Sequence, residues 1–320
     1  MPIVHLNLDE LPPAGCRGGA LTIGNFDGVH RGHQALLEAL RVQAQAIGGP
    51  AVVLTFDPHP LQLLRPELFQ PLLTTVADRA VLLQQAGADH VVVLRTTPEL
   101  LHLTANDFFA AVVRKALDAR ALVEGFNFGF GRNREGTVET LAALCREAGL
   151  PFQVVPPRQV DGQPVSSSRV RTALLKGDVR AAAGLLGRPF HLRGAVATGQ
   201  RRGQGLGFPT ANLEQVGTLV PGDGVYALAV DHEGQTWPAA ANIGPNPTFG
   251  EQARKLEVHL IGFQGDLYGQ TLMVRFLDRL RDTQPFAGVK ELVDQLRQDV
   301  EKARQVYANW HSPLAGDAGS

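Results

Sequence analysis

Cysteine is scarce in this chain, which contains two cysteines among 320 residues. Cys16 and Cys145 lie far apart and form neither a Cys-x-x-Cys motif nor a Cys/His pattern with zinc-ligand spacing. The cysteines therefore indicate neither a disulfide framework nor a zinc site. We predict that each thiol is a small buried side chain.

An excess of one charge and a long apolar run are also lacking. The net charge is -1 and the isoelectric point is about 6.8, which gives no general field for nucleic acid or an anionic membrane. No apolar run reaches the length of a bilayer span, and the first residues lack the basic and apolar order of a signal peptide. We expect a cytoplasmic protein without nucleic-acid or membrane partners, and the sequence predicts no particular oligomeric state.

The chain does have an apolar content of 44%, which is enough for sizeable cores, and its length suits two domains. In the first half, short β-branched runs alternate with helical patterns. The predicted strands are 20–23, 51–56, 90–94, 121–124 and 152–155, and the predicted helices lie near 34–40, 78–85, 105–117 and 137–148. This alternation predicts an α/β domain with a doubly wound parallel sheet, in which ligands lie at the carboxyl ends of the strands.

A glycine-rich turn follows the first of these strands and precedes a helix, with the sequence Gly24-Asn25-Phe26-Asp27-Gly28-Val29-His30-Arg31-Gly32-His33. Backbone amides at such a turn and the positive end of the helix dipole form a seat for phosphate, so we expect residues 24–28 to bind a nucleotide. Imidazoles from His30 and His33 suit the stabilisation of charge at a phosphorus atom. The alternative is that one histidine caps the helix while the other is solvated.

The His-x-Gly-His pattern resembles the signature of the nucleotidyltransferase superfamily. The longer string from Phe26 to His33 is similar to that of the bacterial bifunctional riboflavin kinase/FAD synthetase family. The resemblance implies a nucleotidyltransferase-type sheet in which His30 and His33 are catalytic.

A second motif, Phe56-Asp57-Pro58-His59-Pro60, comes directly after a predicted strand. Its prolines fix an extended backbone and hold Asp57 and His59 at the ligand edge, although a simple rigid exit turn is equally compatible with the pattern. The string is similar to a motif that lines the family's nucleotide and flavin cleft. The resemblance implies that Phe56, Asp57 and His59 bind flavin.

Residues 125–136 interleave aromatic rings, glycines and arginines. Planar rings and guanidinium groups suit a flat heteroaromatic ligand that carries phosphate, and an ordinary turn is the alternative. The stretch resembles the family's flavin and ATP loop, which implies flavin binding by Asn127 and Phe128. Because the family is expected to have aspartate where this chain has Asn127, only a hydrogen-bonding role carries over.

Serines at 166–168 open another helix, with Arg169 and Arg171 in its first turns. Serine side chains cap helices and the arginines can reach a triphosphate, although an ordinary N-cap with solvated arginines is the alternative. The stretch resembles a Ser-Ser-Thr-x-x-Arg motif, with Ser168 in place of threonine. The resemblance implies nucleotide binding by Ser167, Arg169 and Arg171.

The pattern changes near residue 188, where helical alternation stops and short strands follow. Predicted strands at 192–197, 224–230, 236–243, 256–261 and 272–280 indicate a small antiparallel β-barrel, followed by a helix at 289–309. The pattern therefore predicts an α/β domain at 1–187, a barrel domain at 188–311 and a loose tail at 312–320. The family resemblance implies that the first is the FMN adenylyltransferase domain and the second the riboflavin kinase domain.

The densest motif of the second domain runs from Arg202 to Leu213 and includes Gly203, Gly205, Gly207, Thr210 and Asn212. Glycines permit close backbone approach to a nucleotide, and the neutral oxygens of Thr210 and Asn212 suit magnesium. It is not a Walker A loop, because Gly-Lys-Ser/Thr is missing. It resembles the Pro-Thr-Ala-Asn motif of riboflavin kinases, which implies that these residues bind nucleotide and metal.

Alternation along the strand 256–261 places Glu257 and His259 on one face and the apolar residues on the other. Glu257 could be a solvated surface group, whereas the resemblance implies that it is the general base. The resemblance also implies flavin binding by Arg279. Gly262 and residues 283–286 depart from the family pattern, so the family's contacts at that end of the barrel are not carried over to this chain.

The resemblance covers nearly the whole chain and implies two reactions, which use ATP and Mg²⁺ and yield FMN and FAD. In the second domain, ATP phosphorylates riboflavin to FMN; in the first, FMN receives AMP from a second ATP, with release of pyrophosphate. The phosphate nucleophile needs only positioning and charge stabilisation, whereas the alcohol must lose a proton to a base such as Glu257. The alternatives are a nucleotidyltransferase for another phosphorylated substrate and an inactive flavin-binding regulatory protein.

Overall fold

The computed structural model describes residues 3–197, 207–246 and 251–311. Contacts between α-carbons divide the chain into two compact units, Met1–Ser167 and Ser168–Ser320. The predicted domain boundary between residues 187 and 188 lies further along the chain, after two helices that this division places in the second unit. One hydrogen bond that ties the first of these helices to its unit runs from Gly222 N to Leu174 O, at 2.8 Å.

The first unit is built on a six-stranded parallel sheet with the order β1-β4-β3-β2-β5-β6. Its strands are β1 Val4–Leu6, β2 Ala20–Ile23, β3 Ala51–Asp57, β4 His90–Arg95, β5 Ala121–Gly125 and β6 Phe152–Val155. The predicted doubly wound sheet is confirmed. Only the three-residue strand β1 was not predicted, because so short a run carries little periodicity.

Helices cover both faces of this sheet. They are α1 Arg31–Ala46, α2 Pro60–Leu64, α3 Val76–Gln85, α4 Pro98–His102, α5 Ala105–Phe108, which continues as a π-helix over Phe109–Ala116, and α6 Val138–Glu147. One apolar cluster joins α1 and α3 to the sheet, and a second joins α5 and α6 to the opposite face. Alternate residues of β2 serve the two clusters, with Ala20 in one and Leu21 and Ile23 in the other.

Threonine side chains begin four of these helices by accepting a backbone hydrogen bond. The caps are Thr75 for α3, Thr97 for α4, Thr104 for α5 and Thr137 for α6. A two-stranded ribbon, β7 Gln159–Val160 and β8 Gln163–Pro164, completes the unit.

The second unit is a closed antiparallel barrel with the order β10-β13-β12-β11-β14-β9. Its strands are β9 Phe190–Ala197, β10 Ala211–Glu214, β11 Gly224–His232, β12 Gln235–Asn246, β13 Glu251–Leu260 and β14 Thr271–Arg281. The predicted barrel is confirmed. The additional strand β10 begins inside the motif that the sequence assigned to nucleotide binding.

The described residues of the second unit include helices α7 Ser167–Leu175, whose first residue is the last of the first unit, α8 Val179–Leu186 and α9 Val289–His311. The terminal helix α9 packs on β11, β12 and β14. Its Asp299 is 2% exposed and accepts a 2.7 Å hydrogen bond from the guanidinium of Arg281. Because a buried ion pair is costly to break, this contact fixes α9 against the end of β14.

Candidate functional site

The glycine-rich turn lies where the order of the parallel sheet changes direction. Successive strands β2, β3 and β4 run toward one edge of the sheet, whereas β5 and β6 lie on the other side of β2. Such a switch point opens a crevice at the carboxyl ends of the two neighbouring strands. The turn that follows β2 borders this crevice, as the sequence predicted for a ligand site.

The backbone of the turn holds unusual conformations. Phe26 and Val29 have positive φ angles of 48° and 41°, and Gly28 has φ 84°. Positive φ is unfavourable for side chains as large as Phe and Val, so the surroundings must enforce it. The predicted nucleotide-binding residues Gly24, Asn25, Phe26, Asp27 and Gly28 all belong to this fixed segment.

Asp27 does much of this fixing. Its carboxylate, 3% exposed, accepts hydrogen bonds from the backbone amides of Leu73 and Thr74 and from the Thr74 hydroxyl, at 2.9–3.0 Å. The Arg79 guanidinium lies 3.6 Å away and is equally buried. Asp27 therefore clamps the turn to the segment before α3, a role that the sequence analysis did not predict for it.

The two histidines sit together at the start of α1. His30 is 6% exposed and caps the helix, because its Nδ1 accepts a 3.3 Å hydrogen bond from the His33 amide. The rings of His30 and His33 stack with centroids 3.6 Å apart. A Cβ at Gly32 would lie 3.1 Å from His30 Cε1, so glycine at this position lets the His30 ring lie against the helix.

The capping alternative considered for one histidine thus describes His30, although a cap does not exclude catalysis. Acceptance at Nδ1 means that neutral His30 carries its proton on Nε2. The ring of His33 also meets Phe26 edge to face, at 5.2 Å between centroids. Both imidazoles are therefore held in fixed orientations at the helix start, where the dipole favours negative charge.

The second motif lies at the end of β3, near the same edge of the sheet. Phe56 is half-buried and Asp57 is exposed. His59 caps α2 by accepting a 3.1 Å hydrogen bond from the Leu61 amide, and its ring lies 5.7 Å from that of Phe69. The rigid-turn alternative and the ligand-edge prediction are both compatible with this placement.

The aromatic loop begins at the end of β5. Phe128 stacks on buried Phe130 at 5.4 Å between centroids, whereas Asn127 is exposed. The Asn127 carbonyl accepts a 3.3 Å hydrogen bond from Arg134. The loop therefore presents a partly anchored ring and an exposed amide side by side.

Ser167, the last residue of the first unit, makes a hydrogen bond to the glycine-rich turn. Its hydroxyl donates a 2.8 Å hydrogen bond to the Asp27 carbonyl, and it is also the first residue of α7. Arg169 and Arg171 lie in the first turns of that helix and are half-buried. Arg169 and Arg171 belong to the second unit.

In the barrel, strand register brings the predicted kinase residues together. Glu257 of β13 is paired with Asn212 of β10 on one side and with Asn242 of β12 on the other. Residues paired directly across strands have side chains on the same face, with Cβ atoms about 4.5–5.5 Å apart. Leu256 and Val258 are buried while Glu257 is not, which confirms the predicted alternation.

His259 holds the segment that leads into β10. Its Nδ1 lies 2.7 Å from the Pro209 carbonyl, which can only accept, so Nδ1 is the donor. Its ring also contacts Phe208 edge to face, and burial lowers the pKa of His259. Thr210, which follows Pro209 directly, is exposed.

Arg279 is the predicted flavin ligand of the barrel. Its guanidinium donates a 2.6 Å hydrogen bond to the Asp223 carbonyl and forms a 2.7 Å ion pair with Asp282. A Cβ at Gly177 or at Gly224 would lie 2.7 Å from its Nε, so glycines surround it closely. In the glycine-rich motif that contains Thr210, Gly207 is exposed. The other two predicted glycines, Gly203 and Gly205, lie outside the described residues.

Comparison with known families identifies both units. The family model for FAD synthetase matches residues 14–169, and that for riboflavin kinase matches residues 186–307. A bifunctional riboflavin kinase/FMN adenylyltransferase from Pseudomonas fluorescens is 40% identical over 91% of this chain and 94% of its own length. The chain belongs to the bifunctional riboflavin kinase/FMN adenylyltransferase family.

Other relatives carry the same description. The bifunctional riboflavin kinase/FMN adenylyltransferase of Escherichia coli K12 is 36% identical over 94% of this chain and 96% of its own length. That of Bacillus subtilis is 33% identical over 90% and 92%. The predicted pairing of an FMN adenylyltransferase with a riboflavin kinase is confirmed.

A solved structure shares the fold of this chain. It is a Streptococcus pneumoniae protein described as a macrolide-efflux protein, with a TM-score of 0.85, 35% identity and coverage of 94% of this chain and 99% of its own. Within the described residues of the present chain, no helix has the length and apolarity needed to cross a membrane.

Three residues of the adenylyltransferase unit were missed by the sequence analysis as parts of its site. Thr74 and Arg79 complete the Asp27 clamp, and Glu124 accepts a hydrogen bond from Ile23 immediately before the turn. All three act across at least 46 positions of sequence, which no local pattern reveals. The one sequence signal for Glu124 was a charged residue at the end of the otherwise apolar predicted strand 121–124.

Proposed function

We propose that the two reactions of the family use two separate sets of residues in this chain. His30 and His33 stabilise charge during adenylyl transfer to FMN, and Glu257 is the general base of riboflavin phosphorylation. Family membership supports the pair of activities. The fixed histidines and the strand register around Glu257 support the assignment of roles.

In adenylyl transfer, an FMN phosphate oxygen attacks the α-phosphorus of ATP and pyrophosphate leaves. The nucleophile is already ionised, so the residues need only position the reactants and stabilise negative charge. The Nε2 proton of His30, the imidazole of His33 and the amides of residues 24–28 are suited to this. Ser167, Arg169 and Arg171 bind the nucleotide phosphates.

The flavin of this first reaction is bound by residues at the ends of β3 and β5. Phe56 and Phe128 provide apolar surface for its ring system, and Asp57, His59 and Asn127 provide polar contacts. Asn127 is neutral and exposed, so its contribution is a hydrogen bond rather than a charge.

In phosphorylation, the terminal hydroxyl of riboflavin attacks the γ-phosphorus of ATP, Glu257 accepts the hydroxyl proton and ADP leaves. Thr210 and Asn212 supply neutral oxygens next to the Glu257 carboxylate, and Arg279 contacts the flavin. Magnesium in kinases takes few protein oxygens and completes its shell with phosphate and water, so this donor set fits it. When bound, magnesium neutralises charge on the triphosphate.

The pairing of Glu257 with Asn212 is the observation that carries the kinase assignment. We expect Glu257→Gln to keep the shape of the side chain but to remove the proton acceptor. FMN formation from riboflavin should then fall by about 100-fold or more. Chromatographic separation of flavins after incubation with riboflavin, ATP and magnesium measures this directly.

Glu214→Gln is the matched control, because Glu214 is an exposed carboxylate at the end of the neighbouring strand β10. It should phosphorylate riboflavin at the wild-type rate. FAD formation from added FMN should be unchanged in both variants, since it uses the other unit. A Glu257→Gln protein that phosphorylates riboflavin at nearly the wild-type rate would show that another group is the base.

ATP, riboflavin and FMN are the partners that this proposal requires. We also place the protein in the cytoplasm, which is supported by its ATP-dependent chemistry and by two buried free cysteines of the kind found in reducing compartments.

A further inference from the structure

Glu124 belongs to none of the motifs discussed above. It is the last but one residue of β5, is 1% exposed and lies at the switch point of the sheet. Burial raises the pKa of its carboxyl well above the ordinary range. Burying a carboxyl group costs free energy unless the group is hydrogen-bonded, so the hydrogen-bond partner of Glu124 indicates its role.

The partner is the Ile23 amide, which donates a 2.7 Å hydrogen bond to Glu124 Oε1. Ile23 is the final residue of β2, and the next amide, that of Gly24, donates to the Leu54 carbonyl of β3 at 3.0 Å. The two consecutive amides therefore point to opposite neighbours. Glu124 and Leu54 together fix the place where the phosphate-binding turn leaves the sheet.

A backbone partner for Ile23 is missing on the β5 side because the two strands separate there. The register between β2 and β5 covers only Ala20 with Ala121 and Leu21 with Leu122. By contrast, β2 stays paired with β3 as far as Ile23, and β5 stays paired with β6 as far as Gly125. The Glu124 side chain spans the gap that opens between β2 and β5.

We propose that Glu124 is a positioning residue for adenylyl transfer, whose carboxyl replaces the missing strand partner of Ile23 and thereby sets the start of the turn that carries His30 and His33. The inference rests on the proposed role of that turn in FAD synthesis. The turn tolerates little displacement, because Phe26 and Val29 already have positive φ and the His30 ring lies against Gly32.

Two substitutions separate the hydrogen bond from the charge. Glu124→Gln keeps an acceptor oxygen for the Ile23 amide, whereas Glu124→Met has a similar length and suits the apolar surroundings but accepts no comparable hydrogen bond. Val113→Ala is the matched control, since it removes buried side-chain volume from the apolar cluster that also contains Ile23 but leaves both partners of the Glu124–Ile23 hydrogen bond in place.

FAD formation from FMN gives kcat and KM for ATP, and FMN formation from riboflavin in the same preparation reports on the barrel. All tryptophan and tyrosine residues, Trp237, Trp310, Tyr226, Tyr268 and Tyr307, lie in the second unit. Their fluorescence therefore follows the second unit, and circular dichroism follows the first as well. Hydrogen exchange of the peptide containing Ile23 reports directly on its amide.

We expect Glu124→Met to lower kcat for FAD synthesis by about 10-fold to 100-fold, because small displacements of a catalytic group have effects of this size. Exchange at Ile23 should accelerate, while the unfolding midpoint and kinase activity stay close to wild type. Glu124→Gln should retain kcat within about twofold and keep Ile23 protected, since it restores the contact. Val113→Ala should lower the unfolding midpoint but not kcat.

Several results would overturn the proposal. Wild-type kcat in Glu124→Met would show that the hydrogen bond is irrelevant to catalysis, and equal loss in Glu124→Gln would show that charge matters instead. Unfolding of the first unit by Glu124→Met, or an equal loss of kcat in Val113→Ala, would reduce the role to general stability. Failure of the wild-type protein to make FAD would instead contradict the proposed function itself.

Discussion

Replacing Asp27 by asparagine tests whether the turn is held by a buried charge pair. The Asp27 carboxylate receives hydrogen bonds from Leu73 and Thr74 and lies 3.6 Å from the Arg79 guanidinium, with side chains 3% and 2% exposed. Asparagine has nearly the same volume but no charge. It also turns an NH₂ group toward donors that need an acceptor, so contacts are lost and the Arg79 charge remains buried.

The expected loss of stability follows from these contacts. Removing one partner of a buried pair costs about 3–5 kcal/mol, and asparagine keeps one acceptor oxygen, so we expect a value near the lower limit, about 3 kcal/mol. For a unit of this size, 1 kcal/mol corresponds to about 2–4 °C in the unfolding midpoint. The first unit should therefore unfold about 6–12 °C earlier.

The assay compares circular dichroism with tryptophan fluorescence during heating. Both tryptophans lie in the second unit, so only the dichroism signal should shift. Asp89→Asn is the control, because Asp89 is exposed and accepts a 2.8 Å hydrogen bond from the Ala51 amide in the same unit. If Asp27→Asn were no less stable than Asp89→Asn, the clamp would not depend on charge.

Two further predictions concern the same unit. His30→Ala combined with His33→Ala should abolish FAD synthesis while riboflavin phosphorylation continues, and chromatography of the flavin products would show both. If a folded double variant also lost kinase activity, the two reactions would not use separate sites. Burial raises the pKa of Glu124, so wild-type stability should fall as the pH rises from the ordinary carboxyl range toward the native pKa. Glu124→Gln should remove this pH dependence of stability, which unfolding followed by circular dichroism from about pH 5 to 8 would measure. The buried Cys145 thiol stays neutral over this range because its pKa is about 11. If the variant kept the same pH dependence, another group would be responsible for it.

The architecture was well predicted from the sequence, because the spacing of apolar residues along a helix or strand reflects which of its faces is buried. Strand β6 was predicted with its observed bounds, and the alternation around Glu257 matched the buried and exposed faces of β13. Strand β10 was missed, since glycine and proline before it suggested a loop and its four residues are too few for a period. Local pattern thus predicts elements of ordinary length and fails for short strands at a motif.

The candidate sites were predictable to the extent that their residues are close in sequence. His30 and His33 are one helical turn apart, so their proximity was foreseeable, whereas the pairing of Glu257 with Asn212 and Asn242 depends on barrel register. No local rule could place Arg79 beside Asp27 or Glu124 beside Ile23. These contacts exist because the sheet brings distant strand ends to one edge.

Two buried carboxyl groups near the adenylyltransferase turn show why residue type alone could not define their roles. Asp27 lies beside the Arg79 guanidinium and accepts hydrogen bonds from two amides, so its carboxylate has both an ion-pair partner and hydrogen-bond donors. Glu124 lies among apolar side chains and accepts from the Ile23 amide, and there desolvation favours the neutral form. The sequence motif drew attention to Asp27 as a ligand and passed over Glu124, yet both hold the backbone on which the histidines depend. Substitution by the neutral amide should therefore have different consequences, with a loss of stability for Asp27→Asn and none for Glu124→Gln.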